Sequence, residues 1–153
     1  MGNCEGGGKT IGLITGCFDV FHIGHVKTLQ FAKKRCDVLI VGIDNDKSVR
    51  INKGKGRPIF KARERAIVLA STSMADFIFI VPEIFKSGSL KSEMVHDKIT
   101  QLLQPNCIIS HPPTDSQWKN RKNRAEKFNT KWMPHKEKTL TTSTQIIEKL
   151  KQL

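Results

Sequence analysis

No stretch of the 153-residue chain approaches the ~18 consecutive apolar residues of a membrane-spanning helix. The opening MGNCEGGGKT has no apolar segment between a basic start and a cleavage site, so it does not read as a secretory signal, and the cytoplasm is the expected compartment. Four cysteines are present, but Cys4, Cys17, Cys36 and Cys107 form no CxxC pair and have no histidine beside them at metal-ligand spacing. That pattern argues against a zinc site or a disulfide framework and leaves reduced thiols as the expectation. Internal repeats and low-complexity tracts are absent as well. Acidic residues are scarce: 14 Asp and Glu stand against 26 Lys and Arg, for a formal net charge of +12. Such a field favours nucleotides, phosphorylated metabolites or nucleic acid as partners, without naming a reaction.

What remains has the size and composition of one soluble α/β domain, with 38% hydrophobic and 26% charged residues. Residues 1–9 read as a flexible tail and 10–153 as a single domain. Short apolar runs at Ile11–Thr15, Asp37–Ile43, Asp76–Val81 and Cys107–Ser110, with a further short one at Asn129–Met133, predict five strands. Between them, helical periodicity follows His22, spans Lys61–Ser71 and Leu90–Leu103, and closes the chain at Ser143–Leu150. The segment between Ile43 and about Lys61 reads as a polar loop, and the Lys, Arg and Asn-rich Lys119–Lys138 as a long surface loop. Strands alternating with helices imply a mainly parallel sheet covered on both faces, a Rossmann-like three-layer α/β fold. Ligands of such folds sit beyond the carboxyl ends of the strands, where strand order switches.

Gly16–His25, GCFDVFHIGH, occupies that place after the first strand. Gly16 allows a turn close to the strand end, and Gly24 lets an anion approach the start of the following helix. His22 and His25, three residues apart, sit at that helix start, where two imidazoles can donate hydrogen bonds to phosphate oxygens as charge redistributes. Histidines at helical spacing are ordinarily surface or capping residues; the ordered set Gly16, Phe18, Asp19, His22, Gly24, His25 behind an apolar strand is what raises the functional reading. A zinc site would lack a third ligand and the metalloprotease Glu, so no metal ligation is expected here.

The same residues fill every fixed position of the G-x-F-D-x-x-H-x-G-H signature, so the chain resembles the cytidylyltransferase-like nucleotidyltransferases. The resemblance implies that His22 and His25 contact the α-phosphate of a bound triphosphate, while Gly16, Cys17, Phe18, Asp19 and Gly24 form the nucleotide-binding turn, Asp19 in a structural capacity. It continues through Asp46, Ser48, Val49, Lys53, Gly54, Arg57, Pro58 and Ile59, which are similar to the D-x-S-V and K-G-x-x-R-P-I patterns of bacterial heptose 1-phosphate adenylyltransferases. Lys53 and Arg57 are thereby implied as phosphate-handling cations on a glycine-containing loop, and Arg65, on the next helix, as a further phosphate contact.

Thr141–Thr144 precedes the last helix. Hydroxyl residues there are ordinary N-caps, and several together also make a phosphate cradle. The family's I-S-T-T segment maps onto Thr142, Ser143 and Thr144. The glycine and acidic segment that many members carry after the fourth strand is replaced by Ser110–Trp118, with Pro112 and Pro113, so base and acceptor stay open there.

Together these features imply an enzyme that joins a nucleotidyl group to a phosphorylated acceptor with release of pyrophosphate. ATP with a sugar 1-phosphate such as heptose 1-phosphate is the first choice, and CTP with glycerol 3-phosphate or phosphoethanolamine the second. A Mg²⁺ carried by the phosphates is expected, and the family resemblance implies a homodimer. Two readings from other classes stand beside this: a nucleotide sensor without turnover, and an RNA-binding module using Lys119–Lys138, for which only Trp118, Phe128 and Trp132 offer stacking surfaces.

Overall fold

The computed structural model describes residues 8–138 and 141–153. The expected tail, and Cys4 with it, lies outside the described residues except for Gly8 and Lys9. Five strands alternate with six helices in the described chain: β1 (Ile11–Gly16), α1 (Ile23–Lys33), β2 (Val38–Ile43), α2 (Asp46–Lys53), α3 (Ala62–Ser71), β3 (Phe77–Ile80), α4 (Leu90–Leu103), β4 (Cys107–Ser110), α5 (Trp118–Lys127), β5 (Lys131–Pro134) and α6 (Ser143–Leu150).

All strand pairings are parallel, in the order β3-β2-β1-β4-β5. The chain builds outward from β1 through β2 to β3, then returns to the other side of β1 for β4 and β5. The reversal lies between β1 and β4, and the carboxyl ends of those two strands diverge there into the crevice such sheets use for ligands.

The strands are apolar on both faces because both faces are covered. Successive side chains point to opposite sides, so Leu13 and Ile14 enter different cores. Ile14, Leu39, Val41, Ile43 and Ile109 pack with Leu29 and Ala32 of α1 and Leu69 of α3. Leu13 joins Ile40, Phe79, Val81 and Phe85 beneath Val95 and Ile99 of α4. The result is the expected three-layer Rossmann-like fold, with every strand parallel. Cys17 and Cys36 are free thiols. Among the described residues no helix is long and apolar enough to cross a membrane.

Two helices replace expected loops. The segment Asp46–Lys53 is helical because Asn45 caps it, its side chain accepting from the Ser48 N–H at 2.9 Å, and Gly54 ends it at φ +92°. Val49 is its one large buried apolar side chain, too little for a periodic signal. The basic segment Trp118–Lys127 is helical because α4 supplies its counter-charges: the buried Arg124 bonds Glu93 at 2.5 Å and Asp97 at 3.0 Å, and Lys127 bonds Asp97 at 2.5 Å. A helix docked by ion pairs leaves no apolar stripe to read.

Candidate functional site

A cleft of about 450 Å³ opens at the carboxyl ends of β1, β2 and β4. Its lining includes Gly16, Cys17, Phe18, Asp19, His22, Gly24, His25, Lys53, Arg57, Thr142, Ser143 and Thr144, segments far apart in sequence.

The loop after β1 is held in an uncommon backbone conformation. Phe18 and Val20 both have φ near +52°, a region that costs a non-glycine residue about 1–2 kcal/mol. Asp19 between them is the anchor. Its side chain is fully buried, and its carboxylate accepts from Arg57 Nε at 2.7 Å and from the N–H groups of Ile59 and Phe60 at 2.8 and 3.0 Å. Burial alone would raise its pKa, but these backbone and guanidinium donors hold it below the ordinary carboxylate value. The Asp19 carbonyl in turn accepts from Ser143 Oγ at 2.7 Å, tying the start of α6 to the same loop.

His22 and His25 form a reciprocal cap on α1. Nδ1 of His22 accepts from the Gly24 N–H at 3.0 Å, and Nδ1 of His25 accepts from the His22 N–H at 3.3 Å. Because each Nδ1 is an acceptor, the proton of each neutral ring sits on Nε2. Neither Nε2 has a hydrogen-bond partner among the described residues. Burial lowers the pKa of His22; burial, then the neighbouring His22, pushes that of His25 down to about 3. The two rings, 4.0 Å apart, are therefore uncharged donors at neutral pH. Phe18 and Phe21 flank His25 at 5.3 and 5.4 Å.

At the α6 side of the cleft, Thr142 and Gln145 cap each other, with Gln145 N–H on Thr142 Oγ1 at 3.3 Å and Thr142 N–H on Gln145 Oε1 at 2.9 Å. The N–H groups of Ser143 and Thr144 donate to none of the described residues, leaving first-turn donors of the kind that bind anions. Cys17 has its thiol pushed up, first by burial and then by Asp44, so it stays protonated.

The basic side chains divide into two groups. Lys53, at the end of α2, lines the cleft and makes no ion pair among the described residues. Arg57 also lines it, but its Nε is committed to Asp19. Arg65 is the expected site residue that the structure leaves out of the lining. It is 2% exposed, and its guanidinium bonds the carbonyls of Phe60, Cys17 and Asp44 and the carboxylate of Asp46. Four donors spent on the protein make it a strut beneath the loop, not a phosphate contact.

The cleft also contains residues that sequence reasoning did not place there. Arg121 of α5 donates from Nε to Asp115 and from Nη1 to Thr15 Oγ1, both at 2.6 Å. Asn52, Ser87 and Gln117 stand near it. Nothing in a run of Lys, Arg and Asn singles out the arginine that reaches the cleft. His111, which the sequence offers equally as a substrate contact or a loop histidine, lines the cleft, donating from Nε2 to the Glu137 carbonyl at 2.8 Å. The Trp118 ring stacks on Trp132 at 5.6 Å, outside the cleft lining.

The family profile described as cytidylyltransferase-like matches residues 13–149. Among curated proteins, the chain is 49% identical over 102 residues to the bifunctional protein HldE of Nitrobacter hamburgensis, covering 67% of this chain and 19% of that one. It is 44% identical over 101 residues to the bifunctional protein HldE of Desulfatibacillum aliphaticivorans, covering 66% and 19%. The match thus spans about a fifth of the length of these relatives. Among solved structures, the lipopolysaccharide core biosynthesis protein of Thermoplasma volcanium superposes with a TM-score of 0.66 at 21% identity, over 86% of this chain and all of that one. A bifunctional NMN adenylyltransferase/ADP ribose pyrophosphatase from Francisella tularensis gives 0.68 at 14% identity, over 92% and 42%. At such identities the likeness is one of fold.

Proposed function

Since this chain belongs to the cytidylyltransferase-like family, we propose that it is a nucleotidyltransferase that transfers the adenylyl group of ATP to the phosphate of a sugar 1-phosphate such as heptose 1-phosphate, releasing pyrophosphate. The observation that carries the reading is the pair of Nε2 donors, fixed by the reciprocal His22–His25 cap, in one cleft with the unspent N–H groups of Ser143 and Thr144. The choice of ATP and a sugar phosphate rests on the Lys53–Ile59 resemblance.

An acceptor phosphate oxygen attacks the α-phosphorus in line. The new bond joins that oxygen to the α-phosphorus, the bond from the α-phosphorus to the β-bridging oxygen breaks, and the electron pair leaves with pyrophosphate. No proton need move and no covalent enzyme intermediate forms. His22 and His25 stabilise the α-phosphoryl oxygens as charge builds on them, without the need to ionise. The α6 start holds the β- and γ-phosphates, Lys53 and Arg57 neutralise the triphosphate and acceptor, and Asp19 and Arg65 position the loop. The donor set suits a Mg²⁺ that arrives on the nucleotide: among the described residues no three carboxylate, imidazole or thiol groups converge to hold an ion. Such an ion supplies charge neutralisation at the phosphates.

Pyrophosphate release is to be measured with ATP or CTP against sugar 1-phosphates, glycerol 3-phosphate and phosphoethanolamine. ATP with a sugar 1-phosphate is expected to give the highest kcat/KM, and His22→Ala or His25→Ala to lower kcat by about 10²–10³. Preference for CTP would replace the donor assignment. Absence of turnover with every pair would refute the reading.

A further inference from the structure

On the β2 side of the cleft, away from the histidine cap, lies a polar group that the phosphate chemistry above does not use. Asp44 is the first residue after β2. Its carbonyl is held by Arg65 at 2.8 Å and its N–H by the Gly16 carbonyl at 2.9 Å, so its backbone is fixed. Its carboxyl lines the cleft and accepts no hydrogen bond from the described residues. The charges that act on it are those of Arg121 from α5, Arg65, Lys53 from α2 and, opposing them, Asp115, which is bonded to Arg121; the uncharged Asn52, Ser87 and Gln117 line the same cleft. Arg121 has Nε and Nη1 occupied by Asp115 and Thr15, while its Nη2 donates to none of the described residues. The aromatic rings lining the cleft are Phe18, His22, His25 and His111, all from segments that follow β1 or β4.

A half-buried carboxyl that lines the cleft and accepts no hydrogen bond from the described residues is a ready acceptor for a ligand's donors. A cationic amine would pair with it but would also face Lys53 and Arg121, the Asp115 carboxylate being spent on Arg121. The rings that share a smaller pocket with Asp44, Phe85 and His96, are buried and packed on each other, so neither offers an exposed stacking platform. Hydroxyl groups fit, since they donate to the carboxyl oxygens and accept from the lysine, the guanidinium and the amides.

We infer that Asp44, flanked by Lys53 and Arg121, is the specificity-determining contact for the acceptor, selecting a phosphate ester that bears free hydroxyls and excluding one that bears an amine. The inference rests on the transferase reading and extends it to the acceptor's chemical class. Burial, the largest influence on the Asp44 carboxyl, pushes its pKa up, with Arg121, Arg65 and Lys53 drawing it back.

The test measures kcat and KM for the full chain with sugar 1-phosphates and glycerol 3-phosphate, with phosphoethanolamine and phosphocholine, and with a deoxy analogue of the best sugar phosphate. Hydroxylated esters should exceed the amino esters by about 10²-fold or more in kcat/KM, because a site built to bond a hydroxyl leaves its own group unpaired with the wrong ligand. Asp44→Ala should raise the acceptor KM by about 10- to 100-fold, leave the triphosphate Kd within about two-fold, and shrink the preference for the hydroxylated acceptor over its deoxy analogue towards unity. A merely structural Asp44 would lower activity with both acceptors equally and keep that preference, which overturns the inference. Asp44→Asn, of the same shape, answers the same question if the alanine variant does not fold, with an intermediate loss expected. Amino esters turned over as well as sugar phosphates overturn the inference and leave the transferase reading intact. Triphosphate binding without pyrophosphate release for any ester overturns both.

Discussion

Replacing Asp19 by Ala should separate the architecture of the phosphate loop from its chemistry. Asp19 is buried, with three donors on its carboxylate, one of them the guanidinium of Arg57, whose side chain is 13% exposed. Removing it leaves Arg57 and the N–H groups of Ile59 and Phe60 unsatisfied, and breaking a buried ion pair from one side costs about 3–5 kcal/mol. Against the 5–15 kcal/mol that stabilises a typical domain, that is a large fraction. The strained φ values at Phe18 and Val20 then lose their anchor, so the loss should concentrate around the cleft. Urea denaturation should show the midpoint falling at nearly constant slope, and kcat should drop although Asp19 touches no phosphate. The pH dependence gives an independent check. The folded pKa of Asp19 lies below its unfolded value, so its contribution is complete above the unfolded pKa, near 4, and disappears as pH falls through the folded one. The variant should therefore lose least relative to the parent in strong acid. A change below about 1 kcal/mol at pH 7 would refute the anchoring role.

His96, packed edge-on against Phe85 at 5.0 Å, has its pKa lowered to about 4, mainly by burial. Its unfolded form takes up a proton below about 6.5 while the folded form resists, so stability falls with pH through that window, by about 2 kcal/mol from this group at pH 5. His96→Leu should recover about that much at pH 5 relative to pH 8; equal pH profiles for variant and parent by chemical denaturation would exclude it. His25 titrates with the same sign down to about 3, whereas Asp44, whose pKa is raised, opposes both, which is why variant differences are the readout. In β2, a Cβ on Gly42 would stand 2.6 Å from Phe79 Cζ; Gly42→Ala should cost about 1–3 kcal/mol by thermal denaturation, partly restored by Phe79→Leu. Full stability of the single variant would show that the ring has room to move.

The strands and the histidine-bearing turn were legible because a parallel sheet covered on both faces needs continuous apolar runs, and because the motif's residue types sit directly behind one. Helices α2 and α5 were illegible for the converse reason. One is held by a cap and a single valine, the other by ion pairs to α4, and neither leaves a periodic apolar face. The cationic residues were the hardest to place, since sequence shows charge but not its partner. Arg65 carries an ordinary helical pattern and turns out to be satisfied by three carbonyls and a carboxylate, while Arg121, inside a run that reads as solvated, reaches Thr15 at the end of β1. In the same run Arg124 and Lys127 are paired to α4, and Trp118 and Trp132 stack on each other.

That division of the cations explains how a strained loop can be rigid. The turn after β1 is tied to segment 57–65 twice, through Arg65 on the Cys17 carbonyl and through Asp19, and to 142–144 through Ser143, while Arg65 also holds the Asp44 carbonyl. Two residues at positive φ persist only where surroundings over-determine them, and these ties do so here. Charge used for these ties is charge withdrawn from the ligand. Under the proposed function, stabilisation of a transferring phosphoryl group would fall to neutral imidazoles, whose Nε2 protons are fixed by backbone bonds on the far side of each ring, and to the open N–H groups of α6. Such donors are aligned before substrate arrives and need no change of ionisation state near neutral pH. A phosphoryl transfer run on them should accordingly show a flat kcat across pH 7–8, with any loss below that range following the stability of the loop and the second ionisation of the acceptor phosphate, at about 6, and not the titration of His25.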